Sequence, residues 1–334
     1  MMGKWLQAMV CIVVLAVPVL AKANDPLRRE AVRLFGRLPK TPVAETAETR
    51  LGRALFWDAS LSANGKTSCA TCHSPGTWGA DAMQFSLDAQ GKLSSRHSQT
   101  VFNAMLQPTL RWLGDRQSGA QQAEGSLTGS MGFATKDAAV AQLRARGYGA
   151  AFAVAYPQTP DPVTGGNFGR AVAAYQATLI TPAKFDRFMD GDDTALTAQQ
   201  RAGLHAFIDT GCVTCHNGPL LGGTVYRKFG ITKDYWTATG TAQPDTGRFS
   251  MTQKEDDRFV FRVPMLRNIV KTGPYFHDGS VSDLATAVRI MADVQLGVSL
   301  DQSAVAAIVA FLGSLTGAVP ANYAPPKDAL AAVR

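Results

Sequence analysis

The sequence has 334 residues, of which 46% are hydrophobic, and a formal net charge of +7. A chain of this size and composition can fill two hydrophobic cores, which argues against a disordered protein. Its basic residues form no dense cluster, so neither composition nor charge indicates nucleic-acid binding.

The N-terminus has the pattern of an export signal. A short basic start precedes an apolar run from Trp5 to Ala21, and Ala21-Lys22-Ala23 fits a small-residue cleavage site. We expect cleavage after Ala23, which makes residues 1-23 a signal peptide and the mature protein periplasmic. An uncleaved membrane anchor is the alternative, because the run lies at the lower edge of what spans a bilayer. No second apolar run approaches that length, so stable membrane insertion of the mature chain is not expected.

The first chemical motif is CATCH, in which Cys69 and Cys72 are followed at once by His73. Residues 76–95 and 114–132 are rich in glycine and serine and show weak periodicity. We expect both segments to be irregular loops that form the walls of a site.

Two helices before the second motif can be placed from their capping residues. Asn167 is the expected N-cap of FGRAVAAYQATLI, which ends at Thr181. Thr197 with Gln200 forms a capping box, and Gly211 stops that helix one residue before the next cysteine. The motif therefore lies at a helix boundary.

Ser299 with Gln302 gives the same capping signal for LDQSAVAAIVAFLGSL, which ends near Gly317. Residues 217–258 and the tail after Gly317 are expected to be mostly irregular. Strand signals are few and short, so the predicted fold class is mainly α.

The second motif is CVTCH, in which Cys212 and Cys215 precede His216. In an exported protein four cysteines commonly form two disulfides, and a zinc site is a further alternative. A five-residue pattern that occurs twice, with the histidine in the same place, favours two covalently attached c-type haems. Cys69 and Cys212 lie 143 positions apart, so each haem can have a helical lobe of its own.

The second axial ligand of each haem decides whether it carries electrons or binds a substrate. Met291, in a helical stretch 75 residues after His216, is a candidate ligand, with a core methionine as the alternative. A thioether ligand would raise the potential of that haem. Besides the motif histidines the mature chain has three others, namely His97, His205 and His277.

From about residue 42 to residue 317 the chain resembles the bacterial di-haem cytochrome c peroxidases. The resemblance rests on LGRALFWDASLSANGKTSCATCH, TVFNA, LITPAKFDRFMDGD, GCVTCHNGP, VPMLRNIVKTGPYFHDGS and the segment ending IMADVQLG. It implies two cytochrome c-like helical domains, each with one covalent haem c. Residues 24-185, joined by the C-terminal tail 318-334, would hold the peroxidatic haem, and residues 186-317 the electron-accepting haem.

The activity implied by the resemblance is the reduction of hydrogen peroxide to water with electrons from a small periplasmic cytochrome c or cupredoxin. Two haems suit this reaction because it consumes two electrons, whereas such a donor delivers one at a time. Met291 falls on the methionine ligand of the electron-accepting haem, and Trp112 falls on the tryptophan between the two haems. The oligomeric state is left open, with a homodimer as one possibility.

The family places a glutamine and a glutamate over the peroxidatic iron, and here Gln122 matches the glutamine. The glutamate position falls near Ser130, whose hydroxyl cannot hold a proton at the required pKa. Glu124 is the only carboxylate between Gln117 and Lys136, so we predict that it is the substitute catalytic group. A solvent-facing glutamate is the alternative.

Two further positions depart from the family. A histidine that closes the peroxidatic iron in many members corresponds here to Ala89, so we expect the first haem to be five-coordinate or water-bound at rest. A calcium ion between the lobes would use Thr272 and Pro274, but His97 stands where the family has an asparagine ligand. Imidazole is a poor ligand for calcium, so a calcium ion is less favoured here than in the family at large.

Two other functions remain open. The di-haem maturation enzyme of methylamine utilisation, from the same superfamily, oxidises aromatic residues of a partner protein, but its second haem is closed by tyrosine, so Met291 favours the peroxidases. A non-enzymatic di-haem electron carrier would require both irons to be six-coordinate.

Overall fold

The structure is a computed structural model that describes residues 25–40 and 43–327. The expected signal peptide lies outside the described residues. Over the described ranges the chain is mainly helical, which confirms the predicted class, and its strands form one two-stranded antiparallel sheet. No helix in those ranges is long and apolar enough to cross a membrane.

The elements follow one another through the described residues without a long sheet. The helices are α1 (Pro26–Phe35), α2 (Ala47–Trp57), α3 (Cys69–Cys72), α4 (Gly119–Thr128), α5 (Lys136–Ala145), α6 (Gly149–Ala155), α7 (Gly165–Ala177), α8 (Lys184–Met189), α9 (Ala198–Asp209), α10 (Tyr235–Thr239), α11 (Phe249–Thr252), α12 (Leu284–Leu296) and α13 (Gln302–Gly313). The strands are β1 (Tyr226–Lys228) and β2 (Val260–Arg262), paired with Tyr226 opposite Arg262.

Two helix pairs of the same design organise the two lobes. In the first lobe α2 packs on α7, and in the second α9 packs on α13. Each pair crosses at a glycine: a side chain at Gly52 would overlap the Ala171 carbonyl, and one at Gly203 would overlap the Ala307 carbonyl. The close approach of the two backbones therefore requires glycine at both crossings.

The N-terminal helix α1 belongs to the core of the second lobe. The Phe35 ring lies 5.7 Å from that of Phe185 in α8 and 6.5 Å from that of Phe207 in α9. Residues 24-185 were predicted to belong to the first lobe, but the structure packs α1 in the second core, together with the whole of α8, whose start at Lys184 lies two residues before the predicted boundary. Long-range packing of this kind leaves no local sequence signal.

The C-terminal tail, which follows the second lobe in sequence, packs on the first lobe. The Tyr323 ring lies 4.7 Å from that of Phe102 and 5.3 Å from that of Trp57, and its hydroxyl donates a hydrogen bond to the carbonyl of His73. The two ends of the described chain thus each close the lobe that lies further away in sequence.

A buried hydrogen-bonded cluster of Asn103, Thr181 and Asn268 joins the lobes, and the two asparagines make matching contacts in it. Asn103 donates its backbone N–H to the Leu179 carbonyl, and Asn268 donates its own to the Leu315 carbonyl. Both asparagine side chains donate to the Thr181 hydroxyl, at 2.7 and 3.0 Å. Both residues have left-handed backbone angles, with φ of 59° and 63°, which asparagine tolerates better than most residues. The cluster therefore holds in place the short helical turns that begin after Asn103 and after Asn268.

The capping signals were partly correct. The Thr197–Gln200 capping box is present, with backbone-to-side-chain hydrogen bonds of 3.0 and 3.2 Å, and α9 ends just before Gly211 as predicted. The other two N-caps were wrong. Thr164, not Asn167, caps α7, and Asp301, not Ser299, caps α13, whose last residue is Gly313.

The predicted loop over residues 114–132 contains α4. Ser118 caps this helix by accepting a 3.1 Å hydrogen bond from the Gln121 N–H. Its three glycine and serine residues hide the periodicity, but Ala123 and Leu127 face the first core and stabilise the helix. Helix α4 brings Gln122 and Glu124 into regular structure.

Candidate haem-binding sites

The first CxxCH motif forms a single helical turn, α3, that ends at His73. The His73 Nδ1 lies 2.8 Å from the Gly79 carbonyl oxygen. A carbonyl can only accept, so Nδ1 carries the proton and Nε2 presents a lone pair. Burial lowers the pKa of His73, which keeps the ring neutral. This is the form in which imidazole binds a haem iron.

The second motif repeats this arrangement. Gly211, with φ of 94°, turns the chain out of α9, and Cys212 starts a short helical turn. The His216 Nδ1 lies 3.1 Å from the Leu221 carbonyl oxygen, and burial lowers the pKa of His216 to about 4. Both motif histidines therefore offer Nε2 as a ligand atom.

No disulfide joins Cys69, Cys72, Cys212 and Cys215. Burial raises the pKa of Cys69 to about 12 and that of Cys212 to about 11. In residues 25–40 and 43–327 no group of three or more histidine, cysteine or acidic side chains could hold a metal ion. The two CxxC pairs fit thioether attachment, which leaves no charge on sulfur.

A large cavity in the second lobe fits one haem; we call it the second-site cavity. It is lined by both cysteines of the second motif, by His216 and by Met291 on α12. Its remaining wall is largely apolar, with Val263, Leu266, Ile269, Leu284, Val288 and Leu312. The residues predicted as proximal histidine, attachment cysteines and thioether ligand thus line one largely apolar cavity, and they are the kinds of group that hold a six-coordinate c-type haem.

In the first lobe, the residues predicted for the far side of the haem lie on α4 and on the loop after α3. Gln122 carries a buried side-chain oxygen, Oε1, with no hydrogen-bond partner among the described residues. Two positions that depart from the family meet there, since the Ala89 N–H donates a 2.9 Å hydrogen bond to the Ser130 carbonyl. The Ala89 carbonyl also accepts from Asn64 Nδ2 at 2.9 Å, so the loop is held on both sides.

The structure does not bring Glu124 together with Gln122. The two residues lie two apart on α4, so their side chains point to different faces. Glu124 forms a 2.7 Å ion pair with Lys136 and contacts the helix start at Gly165. Its contacts are those of a partly exposed ion pair and give no support to the predicted catalytic role.

Trp112, predicted to lie between the two haems, lines the second-site cavity. Its Nε1 donates a 2.8 Å hydrogen bond to the His97 carbonyl, and its ring lies 6.3 Å from the ring of His277. His277 is buried and stacks on Phe261, with the ring centroids 4.1 Å apart. Fixed aromatic rings therefore connect the second-site cavity to the first lobe.

The predicted calcium residues do not fit calcium. Thr272 and Pro274 line the same cavity as His97, but the His97 ring stands among the carbonyls that would face an ion. Its Nδ1 lies 2.9 Å from the Met83 carbonyl, so it carries the proton. Burial lowers the pKa of His97, and hydrogen bonds to the Met83, Thr272 and Gln84 carbonyls offset this lowering only in part. An imidazole fills this position, and calcium prefers six to eight oxygen ligands.

Sequence reasoning missed Arg262, which is almost fully buried and lines the second-site cavity. The available signal was a single arginine in the apolar run from Phe259 to Val263. A charged residue in such a run is rarely buried without a partner.

Comparison with known proteins agrees with this geometry. The family described as di-haem cytochrome c peroxidase matches residues 46–194. The cytochrome c551 peroxidase of Pseudomonas aeruginosa is 41% identical over 89% of this chain and 88% of its own length. That of Nitrosomonas europaea is 36% identical over 83% of this chain and 81% of its own length.

Solved structures give the same fold. The crystal structure of a MauG-like protein associated with microbial copper homeostasis superposes with a TM-score of 0.75 at 25% identity. The superposition covers 87% of this chain and 96% of that one.

Proposed function

Since the chain belongs to the di-haem cytochrome c peroxidase family, we propose that this cytochrome-c peroxidase acts in the periplasm and takes electrons from a small cytochrome c or cupredoxin. The observation that carries the proposal is the contrast between its two haem sites. The second-site cavity offers histidine and methionine to one iron, whereas for the first iron we propose His73 and, facing it, the amide of Gln122, whose buried Oε1 has no partner among the described residues. One haem can then carry electrons while the other binds peroxide.

The second site is the proposed entry for electrons. When bound, each haem supplies an iron that exchanges one electron, and an iron with a free axial position also binds peroxide. His216 and Met291 would hold the iron of the second haem, and a histidine–methionine pair would favour a high potential and exclude peroxide. The largely apolar wall of the second-site cavity limits access of water to this iron.

The first site is the proposed place of peroxide reduction. Gln122 is the polar side chain that we assign to this pocket, and its amide can orient peroxide by hydrogen bonding. An amide does not exchange protons near neutral pH, so we propose that solvent water supplies the two protons of the reaction. Ala89 has no ligand atom, which leaves the site open without prior reduction.

Trp112 and His277 form the proposed electron route between the sites. Their rings are held 6.3 Å apart by packing and by the Trp112–His97 hydrogen bond. Rings that packing holds in place add little reorganisation energy when an electron passes. Trp112 belongs to the chain segment between α3 and α4, so the proposed route ends in the sequence of the first lobe.

Electron paramagnetic resonance of the fully oxidised holoenzyme, paired with a peroxide assay using reduced cytochrome c, tests this function. We expect one high-spin and one low-spin ferric signal and oxidation of the donor by the resting enzyme. Two low-spin signals without a peroxide reaction would indicate an electron carrier. Failure to oxidise cytochrome c, together with oxidation of a co-expressed partner protein, would indicate a maturation enzyme instead.

Replacing Met291 tests the second site separately. Met291→Ala should convert the low-spin signal of the second haem to high-spin and slow donor oxidation, because the iron loses a ligand and its potential falls. Met265→Ala is the matched control, since Met265 also lines the second-site cavity but is not our proposed ligand. A low-spin second haem that survives Met291→Ala and is lost in Met265→Ala would reassign the ligand.

A further inference from the structure

Two arginines that line the second-site cavity are almost completely buried. Arg262 is 1% exposed and Arg267 is 2% exposed. A guanidinium stays charged at all ordinary pH values. When it is buried, its N–H donors therefore need acceptors and its charge needs a counter-charge.

Arg267 has its counter-charge within the chain. Its two terminal nitrogens donate to both carboxylate oxygens of Asp186, at 2.5 and 2.9 Å, and its Nε donates to the Pro219 carbonyl at 2.9 Å. This is a paired buried charge in the bidentate geometry that stabilises such pairs best.

Arg262 has only neutral partners among the described residues. Its Nε donates to the Arg111 carbonyl at 2.9 Å, and its terminal nitrogens donate to the side-chain oxygens of Gln99 and Gln107. No carboxylate in residues 25–40 and 43–327 lies within ion-pair distance of it. Burial lowers the pKa of Arg262 to about 10, as expected for a cation without a compensating anion.

An anion that pairs with Arg262 would reach it through the second-site cavity, which Arg262 lines. The cavity also presents His216, Met291 and the two attachment cysteines, so its proposed occupant is a haem. A haem carries two propionate carboxylates, and a carboxylate matches the guanidinium fork in charge and shape. We propose that Arg262 binds a propionate of the second haem, an inference that rests on the proposed function of this site.

The partners of Arg262 give the contact a second consequence. Gln99, Gln107 and Arg111 all belong to the segment that carries Trp112, and the Arg262 N–H donates to the Trp112 carbonyl at 2.8 Å. One arginine thus links the second haem to the segment of the proposed electron route. It also places a positive charge beside the iron, which favours the reduced state because that state has one positive charge fewer.

The test is the midpoint potential of the second haem in Arg262→Gln, measured by spectroelectrochemical titration of the holoenzyme. At a fixed potential near the midpoint we expect the ferrous-to-ferric ratio of this haem to fall about tenfold, which is ~59 mV for one electron. The potential of the first haem should not change. Arg289→Gln is the matched control, because Arg289 is exposed on α12 close to Met291 and solvent screens its charge.

Two more measurements separate a charge effect from a structural one. Without the arginine the propionate pKa should rise, so the second-haem potential should become more dependent on pH between pH 5 and pH 8. Arg262→Lys keeps the charge and should keep most of the wild-type potential even where Arg262→Gln folds poorly. A lysine variant whose potential falls as far as that of a folded glutamine variant would overturn the proposal.

Haem stoichiometry separates this inference from the proposed function. Wild-type protein with one haem per chain would remove the second site altogether, and the inference with it. Two haems per chain with the same second-haem potential in wild type and Arg262→Gln would overturn the propionate contact alone.

Discussion

The two haem sites are alike on the side of the attachment motif and different on the opposite side. In both, a neutral histidine points its Nδ1 at a backbone carbonyl a few residues further on, Gly79 in one and Leu221 in the other. Met291 lines the same cavity as the second histidine, whereas the first lobe has Gln122, with its unpartnered buried oxygen, as the proposed counterpart. A duplicated scaffold can therefore serve two tasks, because the attachment side fixes the haem and the opposite side sets its chemistry.

The likeness of the lobes is most sharply tested at their glycine crossings. Gly52→Ala and Gly203→Ala should each destabilise the fold by roughly 3 kcal/mol, because the added methyl overlaps a carbonyl of the facing helix. Thermal unfolding of the holoenzyme measures the effect. Gly313→Ala, at the end of α13 with no atom near the added methyl, is the control and should cause no loss. A large loss at only one crossing would show that the lobes are not equivalent.

The difference between the sites is tested by replacing the polar side chain of the first one. Gln122→Leu should lower kcat/KM for peroxide about 100-fold, or ~2.7 kcal/mol, since no other side chain of this pocket is assigned to orient the substrate. Steady-state oxidation of reduced cytochrome c gives the value. Glu124→Gln should have little effect, because Glu124 pairs with Lys136 on another face of α4. The opposite ranking of the two variants would restore Glu124 as the catalytic group.

Ala89→His is designed to make the first site resemble the second. The new imidazole should close the iron, convert its resting signal from high-spin to low-spin, and lower the peroxidase rate of the oxidised enzyme on the order of tenfold, or ~1.4 kcal/mol. Ala89→Ser is the control of similar size without a strong ligand. An unchanged high-spin signal would mean that the hydrogen bonds of the loop to Ser130 and Asn64 keep position 89 away from the iron.

The smallest expected effect concerns the junction between the sites. Calcium or a chelator should leave the melting temperature of the wild type unchanged, because the His97 ring fills the position. His97→Asn should bind calcium measurably by titration calorimetry and gain stability from it, since the amide oxygen suits a hard cation. His97→Gln serves as the comparison of similar polarity with a longer side chain. Calcium binding to the wild type would refute the assignment.

The sequence predicted those parts of the molecule that local patterns determine. The CxxCH motifs, the mainly helical class and the Thr197 capping box all depend on residues within a few positions of one another. The predicted N-caps Asn167 and Ser299 were wrong because a second suitable capping residue lay nearby, Thr164 three positions before Asn167 and Asp301 two positions after Ser299. The choice between neighbouring caps depends on where the helix is packed, which the local pattern does not contain.

Features that depend on distant contacts could not be read from the sequence. Helix α4 is rich in glycine and serine and is stabilised by core contacts, and α1 packs on a lobe that begins about 150 residues later. The role of Arg262 depends on Gln99 and Gln107, each more than 150 positions away. The same holds for Glu124, whose direction on α4 became visible only with the helix in place.

The crossing of the chain ends also has a consequence for folding. Tyr323 packs on the first lobe and hydrogen-bonds the carbonyl of His73, which lies 250 positions earlier. The first attachment motif therefore acquires its full set of contacts only when a distant segment of the chain docks on it. Closing that long a loop costs conformational entropy, so we expect this contact to form late in folding.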